Sequence, residues 1–260
     1  MAQPPDPGMS PERRREQIMS YLSAHDRASV GDLSHVLGVS EVTIRKDLDL
    51  LESQGLLLRT HGGAMASGRG RLELHFATRE QQHLEQKRRI AQRAAALIHS
   101  GQRIFLDAST TALQVARLIK DREELTVVTN GLYTALELTF SPGVTTVVVG
   151  GTMRHRSSSL VGSLNADLLQ RLRIDLGFFG ARGVTAEGLM EGDLDEAQLK
   201  QRLVQASRLT VGIVDSSKFG LSAFSIFALP HEIDRIITDT AAPPAIVDAL
   251  RAQEIAIELV

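Results

Sequence analysis

The stretch Ser40-Glu41-Val42-Thr43-Ile44-Arg45-Lys46-Asp47-Leu48-Asp49-Leu50-Leu51 decides how the first part of this chain folds. Ile44, Leu48 and Leu51 recur at i, i+4 and i+7, the spacing that places apolar side chains on one face of an α-helix. Ser40 stands at the N-cap position, where its hydroxyl can accept a hydrogen bond from an N–H group of the first turn. The stretch therefore predicts an amphipathic helix that packs against a core.

The opposite face of this helix carries groups that suit a nucleic-acid groove. At 100° per residue, Val42 and Lys46 point away from the apolar stripe, and Thr43 and Arg45 flank them. An apolar side chain, a hydroxyl and two cations match the base edges and phosphates of DNA. Taken alone, however, the pattern fits an ordinary helix with a solvated charged face better, because such helices are very common.

The segments on either side of the helix favour the nucleic-acid interpretation. Residues 11–24 predict a first helix, and a second, short helical segment at 30–37 is followed by a tight turn at Gly38. Two helices joined by such a turn form a helix-turn-helix motif, whose second helix enters the major groove. Gly55 is expected to end that helix as a C′ residue, and residues 56–63 predict a β-ribbon with a glycine tip, a wing.

The helix, its turn and the wing share a set of residues with a known family. These residues are Ser40, Thr43-Ile44-Arg45-Lys46-Asp47-Leu48, Leu51-Glu52, Gly55, Arg59 and His61-Gly62-Gly63-Ala64. In this combination they resemble the DNA-binding half of the DeoR family of bacterial transcription regulators. The family usually has Arg where Lys46 stands, a change that keeps the charge but loses the two-pronged hydrogen bonding of a guanidinium. We expect DNA contacts from Arg14, Ser40, Val42, Thr43, Arg45, Lys46, Arg59, His61 and Gly62.

Charge alone does not identify a nucleic-acid binder here. The 260-residue chain has a net charge of −2, and residues 10–66 contain seven Lys and Arg against eight Asp and Glu. One such domain can make few phosphate contacts, so tight binding to operator DNA would need more than one subunit. We therefore expect a homo-oligomer, a dimer or higher.

Composition excludes several other classes of protein. The chain has no cysteine, which excludes disulfides and thiolate chemistry, and its eight histidines never pair at metal-ligand spacing. Neither a metal nor a cofactor is expected. Residues 1–9 lack the basic and apolar regions of a signal peptide and are expected to be a disordered tail. No apolar run approaches the roughly 18 residues that span a bilayer, so we expect a cytoplasmic protein without a membrane partner.

Beyond residue 83 the sequence alternates short β-rich runs with helical segments. The runs are too apolar for half-exposed strands and suit buried parallel ones; they lie at 103–106, 125–129, 145–149, 176–179, 209–214, 235–238 and 255–259. Helical segments are predicted at 83–100, 111–120, 132–138, 195–206 and 245–252. The alternation predicts a doubly wound, Rossmann-like α/β domain with a mostly parallel sheet.

These patterns give a domain plan for the whole chain. We expect a tail at 1–9, a winged helix-turn-helix domain at 10–66, a linker at 67–82 and an α/β effector-sensing domain at 83–260. Because ligands of open parallel sheets bind beyond the carboxyl ends of the strands, the loops at those ends are the candidate site.

Polar and glycine-rich loops follow five of the predicted strands. The first loop, 107–111, brings hydroxyls and N–H groups to the start of a helix, an arrangement suited to phosphate, although a plain N-cap cluster is an equal alternative. Later loops add the cations Arg154, Arg182 and Lys218. Together they predict an anionic, hydroxylated ligand such as a phosphorylated sugar. The candidate effector-binding residues are Asp107, Ser109, Thr110, Thr111, Asn130, Gly151, Arg154, Gly180, Arg182, Glu196 and Lys218.

Residues in this half also resemble the DeoR family, in its sensor domain. They are Glu85, Lys87, Ile90-Ala91, Asp107, Ser109-Thr110-Thr111, Thr129-Asn130, Gly150-Gly151, Gly162, Glu196-Ala197, Lys200, Asp215, Ser217-Lys218-Phe219-Gly220 and Ile237-Thr238-Asp239. The two matches cover roughly residues 10 to 240. The family's sensor fold is similar to ribose-phosphate isomerases and coenzyme A transferases, which implies recognition of a sugar phosphate or related metabolite.

Two further functions compete with a metabolite-responsive repressor. One is a sugar-phosphate isomerase-type enzyme with an accessory DNA-binding domain, and the other is an α/β interaction module with a cryptic pocket. The intact winged helix favours the regulator, and the loops contain no convincing carboxylate–base pair. Arg182 also stands where the isomerases place acidic residues, which puts isomerase chemistry in doubt. We therefore expect a regulator and not an enzyme.

Overall fold

The computed structural model describes residues 9–25, 27–53, 57–66, 76–162, 169 and 171–260. The chain divides into two units, residues 1–78 and 79–260. Most of the predicted tail, the Gly55 cap and linker residues 67–75 lie outside the described residues.

The first unit is a helix-turn-helix with a wing. Its elements in chain order are α1 (Pro11–His25), β1 (Arg27–Ser29), α2 (Val30–Leu37), α3 (Glu41–Ser53), β2 (Leu57–Thr60) and β3 (Gly63–Ala66). The strands form one antiparallel sheet in the order β1-β3-β2. The predicted helix-turn-helix is confirmed, and β1 is an additional strand that joins the wing to the helices.

Local chemistry explains where α2 and α3 begin and end. Ser29 caps α2, and its hydroxyl accepts a hydrogen bond from the N–H of Asp32 at 3.0 Å. Gly38 ends α2 with a left-handed φ of 66°, which glycine adopts at little cost. Ser40 accepts a hydrogen bond from the N–H of Thr43 at 3.3 Å, as expected of the N-cap of α3. The buried face of α3 contributes Ile44 and Leu48 to the core of this unit.

The second unit is built on seven strands that all pair in parallel, in the order β15-β14-β12-β9-β4-β5-β6. The strands are β4 (Arg103–Leu106), β5 (Leu125–Thr129), β6 (Val144–Val148), β9 (Ile174–Phe179), β12 (Ser207–Ile213), β14 (Arg235–Thr238) and β15 (Ala256–Leu259). All seven predicted strands are therefore confirmed, with bounds that shift by one or two residues. This is the predicted α/β fold.

Helices cover both faces of this sheet. They are α5 (Leu84–Ala95), α6 (Thr110–Leu118), α7 (Leu132–Glu137), α8 (Leu194–Ala206) and α9 (Pro244–Arg251), and α4 (Phe76–Gln81) precedes them. Neighbouring residues of β4 point to opposite faces: Phe105 belongs to one apolar cluster, while Ile104 and Leu106 belong to the other. Residues 97 and 98, predicted as part of α5, instead form i→i−3 turns after it. Within the described residues, no helix is long and apolar enough to cross a bilayer.

Short antiparallel strands add two features that the sequence did not predict. One is the sheet β10 (Gly183–Thr185), β11 (Gly188–Glu191) and β13 (Ser225–Ala228), and the other is the ribbon β7 (Thr152–Arg154) with β8 (Ser159–Val161). All of them have three or four residues, too few for a readable alternation of apolar and polar side chains.

The strand order creates one switch point. From β4 the chain proceeds through β5 to β6 on one side, then crosses back to β9, which pairs with β4 on its other side. Loops leaving β4 and β9 therefore diverge at their carboxyl ends, where open α/β sheets bind ligands. These two loops are residues 107–109, which lead into α6, and residues 180–182.

Candidate functional site

The outer face of α3 is exposed as the sequence predicts. Val42 is 60% exposed, and Arg45 and Lys46 are also exposed. Arg45 pairs with Glu41, one turn earlier at 2.7 Å, and both side chains are about half exposed. Such surface pairs contribute little, so a DNA base or phosphate can replace Glu41 as the partner of Arg45.

Arg14, another predicted DNA contact, has an internal partner. Its Nε lies 2.5 Å from Oδ2 of Asp47, and Asp47 is buried on α3. Arg15 approaches the same carboxylate at 3.6 Å. The structure therefore gives Arg14 the role of tying α1 to α3, and a phosphate would have to compete with Asp47 for it.

Arg59 fixes the wing, and the tip of the wing is open to solvent. The guanidinium of Arg59 donates to the carbonyl of Gly63 at 2.9 Å and lies 3.3 Å from Asp49 of α3. His61 and Gly62 are exposed at the turn between β2 and β3, where Gly62 has a φ of 92°. Arg59 thus orients the tip, and His61 is the side chain there that can reach a ligand.

In the second unit, a small cleft opens at the switch point. We call it the switch-point cleft; it is lined by Arg79, Gln82, His83, Lys87, Ser109, Thr110, Thr111, Gly180, Ala181, Arg182, Ile213, Val214, Asp215 and Lys218. Six of the predicted effector residues, from three separate loops, meet there: Ser109, Thr110, Thr111, Gly180, Arg182 and Lys218. Asp107, Asn130, Gly151, Arg154 and Glu196 are not among its lining residues.

The first wall of the cleft is the start of α6. Ser109 is its N-cap, and the Ser109 hydroxyl accepts a hydrogen bond from the N–H of Ala112 at 3.1 Å. N–H groups of the first helical turn lack partners within the helix and carry partial positive charge. Gly180 faces this wall so closely that a Cβ on it would lie 2.5 Å from Cβ of Ser109. The glycine keeps the two loops together without filling the cleft.

Cations dominate the lining of the cleft. Arg79, Lys87, Arg182 and Lys218 line it, against the single carboxylate of Asp215. Burial lowers the pKa of Lys87 to about 8; the carboxylate of Asp215 opposes this shift, and the nearby charge of Lys218 adds to it. The positively charged cleft therefore suits an anion.

Lys87 was missed as a site residue because its place in the cleft depends on tertiary structure. At helical spacing it appears simply as one lysine of the polar sequence of α5, and only the packing of α5 beside α6 brings it to the cleft. The signal that could have identified Lys87 is its place among the residues that resemble the DeoR sensor domain.

Beneath the cleft lies a group of buried charges that we call the buried lysine network: Asp107, Glu191 and Lys200. The ammonium of Lys200 lies 2.9 Å from Asp107 and 2.8 Å from Glu191, and it also donates to the carbonyl of Gly180 at 3.0 Å. Burial alone would lower the pKa of Lys200, but the carboxylates of Asp107, Glu191 and Glu196 together raise it above its usual value. The network therefore holds Lys200 as a cation.

Asp107 uses its carboxylate inside the fold. Besides Lys200, it accepts hydrogen bonds from the N–H groups of Ser109 at 3.0 Å and Gly180 at 2.8 Å, and it is fully buried. It therefore joins the two loops that diverge at the switch point. The structure gives it this internal role in place of the expected contact with ligand hydroxyls.

Arg154 and Glu196 belong to a second buried cluster. Arg154 donates to Glu196 at 2.5 Å and to Ser157 at 2.9 Å, and Ser159 donates to Glu196 at 3.0 Å. Burial raises the pKa of Glu196, and so does the nearby carboxylate of Glu191, while Lys200 and Arg154 oppose the rise. The cluster joins the β7–β8 ribbon to α8.

Asn130 and Gly151 secure the same ribbon. Asn130 is fully buried, and its side-chain amide donates to the carbonyl of Leu160 at 3.3 Å. A Cβ on Gly151 would lie 2.1 Å from the carbonyl oxygen of Val161, so only glycine permits the close approach of the two strands. Across the described residues, His, Asp and Glu form no group of three that could hold a metal ion.

Two family models match this chain. One, described as a DeoR-like helix-turn-helix domain, matches residues 14–68, and the other, described as a DeoR C terminal sensor domain, matches residues 82–240. The matches fall on the helix-turn-helix unit and on the α/β unit respectively.

Three relatives are similar over nearly the whole chain. The HTH-type transcriptional regulator GolR of Listeria innocua is 36% identical over 89% of this chain and 91% of its own. The putative aga operon transcriptional repressor of Escherichia coli O157:H7 is 34% identical over 95% and 93%, and the glycerol-3-phosphate regulon repressor of Escherichia coli K12 is 31% identical over 96% and 100%. All three are named as transcription regulators or repressors, which favours the regulator over the alternative of an enzyme.

Among solved structures, a D-ribose-5-phosphate isomerase in complex with phospho-erythronic acid is similar to this chain with a TM-score of 0.40 and 16% identity. The likeness covers 52% of this chain and 54% of the isomerase.

Proposed function

Because the chain belongs to the DeoR family of transcription regulators, we propose that it is a repressor whose operator binding is controlled by a phosphorylated sugar in the switch-point cleft. One observation carries this proposal: four cationic side chains and the N-terminus of α6 converge on one cleft at the switch point of the sheet. The name of one relative, the glycerol-3-phosphate regulon repressor, adds support for a small phosphorylated effector.

In this proposal, phosphate occupies the wall formed by the start of α6. The N–H groups and hydroxyls of Thr110 and Thr111 bind it on one side, and the ammonium of Lys218 binds it on the other. Arg182 binds the phosphate or a carboxylate of the ligand. Asp107, Asn130, Glu196 and Arg154 act indirectly, because each holds a loop or the β7–β8 ribbon in place.

In the same proposal, the first unit binds operator DNA and the protein acts in the cytoplasm. Val42, Thr43, Arg45 and Lys46 of α3 enter the major groove, and His61 and Gly62 at the wing tip lie against the backbone or minor groove. Ser40 caps the helix, while Arg14 and Arg59 fix the geometry of α3 and the wing.

The assembly is a homo-oligomer, and the α/β unit offers a surface for it. β6 is the edge strand of the seven-stranded sheet, and apolar side chains are exposed on it and on the adjoining helix and loop: Tyr133, Leu136, Phe140, Val147 and Val148. The one carboxylate of α7, Glu137, already pairs with Arg117 and Lys120. A second copy can therefore cover this face without repulsion between like charges.

The assembly surface is tested by sedimentation of two matched variants. Phe140, which is 90% exposed beside β6, and Phe224, which is 76% exposed before β13, differ in location but not in chemistry. We expect Phe140→Asp to lower the mass of the assembly and Phe224→Asp to leave it unchanged. An unchanged mass in both variants would place the interface elsewhere.

The effector is tested by thermal unfolding of the full chain with a panel of sugar phosphates and their unphosphorylated counterparts. A ligand that binds only the folded state raises the unfolding temperature. We expect a rise with at least one phosphorylated sugar, none with its unphosphorylated counterpart, and a reduced rise in Lys218→Ala. Equal shifts in Lys218→Ala and the parent would show that the cleft does not bind the phosphate.

A further inference from the structure

The helices α4 and α5 meet at a sharp elbow on the rim of the switch-point cleft. α4 ends at Gln81 and α5 begins at Leu84. Between them His83 adopts a left-handed φ of 51°, a conformation in which residues with a side chain are uncommon. Arg79, Gln82 and His83 of the elbow all line the cleft. A contact inside the cleft must hold this conformation in place.

The ammonium of Lys87 is that contact. It donates hydrogen bonds to the carbonyl of Arg79 and, at 2.6 Å, to the carbonyl of Gln82. Carbonyls at the end of a helix lack partners within the helix and favour a positive charge. Lys87, on α5, therefore fastens the end of α4 to α5 at the elbow.

The same ammonium is placed to meet a ligand. Lys87 is only 4% exposed, and it lines the cleft with Thr110 and Lys218. An ammonium has three donors, and two of them go to the carbonyls of the elbow. Among the described residues these two carbonyls are its hydrogen-bond acceptors. The third donor can therefore reach an anion bound against α6, so that one group contacts the ligand and the elbow at once.

From this geometry we infer that Lys87 is a further ligand of the effector's phosphate and the positioning residue through which α4 responds to occupancy of the cleft. The inference rests on the proposed function, since it requires an anion in the cleft. The point at which the chain divides into two units, after Thr78, falls within α4.

Protonation of Lys87 supplies a signature that a purely structural lysine would lack. Burial lowers its pKa to about 8; among its charged neighbours, Asp215 and Glu80 raise the pKa, and Lys218 and Arg79 lower it. Arg182 and His83 also line the cleft. A bound phosphate adds negative charge and favours the protonated ammonium, so phosphate affinity should fall as the pH rises above about 8.

The test uses the full chain with inorganic phosphate as the probe. Phosphate affinity is measured by calorimetry from pH 7 to about 9.5, a window chosen around the pKa of Lys87, and hydrogen exchange of the amides in α4 is followed with and without phosphate. In the parent we expect phosphate to slow exchange in α4 and its affinity to fall above pH 8. Lys87→Met should weaken binding about tenfold or more, the loss expected for one charge-assisted hydrogen bond, and should abolish the response of α4.

Lys87→Arg is the matched control, because a guanidinium stays charged throughout this pH range. It should bind phosphate without the fall in affinity above pH 8, and it keeps the test valid if Lys87→Met does not fold. The inference is overturned if the phosphate affinity of Lys87→Arg depends on pH as it does in the parent. It is also overturned if phosphate binds without changing the hydrogen exchange of the amides in α4. In either case, weaker phosphate binding by Lys218→Ala would still support the proposed function. If no phosphate compound binds the parent protein, the proposed function and the role of Lys87 are both wrong.

Discussion

Two groups of charges lie at the carboxyl edge of the same sheet, and they are organised in opposite ways. In the buried lysine network, Lys200 is closed in by Asp107 and Glu191, and all three side chains are buried. In the switch-point cleft, four cations line an open space with one carboxylate. The first group pairs its one cation with two carboxylates, whereas the lining of the cleft contains more cations than carboxylates and suits an anion. One of the cleft cations, Arg182, also approaches Glu191 at 3.5 Å.

This difference distinguishes residues that stabilise the fold around the site from residues that contact the ligand. Removal of a paired buried charge leaves its partner unpaired in a low-dielectric interior, which costs stability. Removal of one cation from the lining of the cleft lowers repulsion between like charges there and should mainly lower the affinity for an anion. The two groups should therefore respond differently to the same kind of mutation.

Lys200→Met should give the largest effect. It leaves Asp107 and Glu191 buried without their cation, and we expect a loss of about 3–5 kcal/mol in the free energy of unfolding, measured with urea. Lys120→Met is the control, since Lys120 forms a partly exposed pair with Glu137 and should cost less than about 1 kcal/mol. Similar losses in both variants would contradict the structural role of the buried lysine network.

Lys218→Ala should affect ligand affinity, and its effect on stability should be smaller than that of Lys200→Met. Loss of one charge-assisted hydrogen bond to phosphate should cost about 1.5–3 kcal/mol of binding free energy, measured by titration with the active sugar phosphate. Thr110→Val should weaken binding in the same direction, and operator binding without effector should remain intact in both. If the two variants respond to the effector like the parent, the phosphate site lies elsewhere.

Arg45→Ala should affect operator binding and neither stability nor effector binding. If Arg45 reads a base, the loss should be about 1–3 kcal/mol, measured by fluorescence anisotropy with labelled operator. Arg88, an exposed cation of α5, provides the control variant Arg88→Ala, which should bind operator like the parent. Unchanged affinity in a folded Arg45→Ala variant would remove α3 from the recognition role.

The last prediction concerns a dependence of stability on pH. Lys87 has a pKa of about 8 in the folded protein and about 10.5 when unfolded, so between these values the unfolded state binds more protons. The free energy of unfolding should therefore gain a contribution that rises with pH from about 8 to 10.5. This contribution should be absent in Lys87→Met and present in Lys120→Met. If the free energy of unfolding depends on pH with the same slope in all three proteins, burial does not lower the pKa of Lys87.

The sequence predicted the fold because its signals are local. Ile44, Leu48 and Gly38 determine α3 and the preceding turn through spacing and backbone conformation, and the seven parallel strands lie in apolar runs that alternate with helical segments. The short strands β7, β8, β10 and β11 were missed because three or four residues show no reliable periodicity.

The sequence predicted the site only in part, because its prediction used a general rule about parallel sheets and not a local signal. The rule that ligands bind at the carboxyl ends of parallel strands correctly brought Ser109, Gly180 and Lys218 to one cleft. It could not show that Asp107 faces inward or that Lys87 enters the cleft from another helix, because both depend on packing between elements distant in sequence.

The central claim is that a phosphorylated ligand in the switch-point cleft controls operator binding, and release of labelled operator from the full chain tests it most directly. The parent and Lys218→Ala are each bound to operator and titrated with the sugar phosphate that raises the parent's unfolding temperature. We predict that the parent releases operator as the cleft fills, and that Lys218→Ala binds operator equally well but needs at least about tenfold more ligand for release. Release of operator by both proteins at the same ligand concentration, or no release of operator by the parent at saturating ligand, would contradict the account.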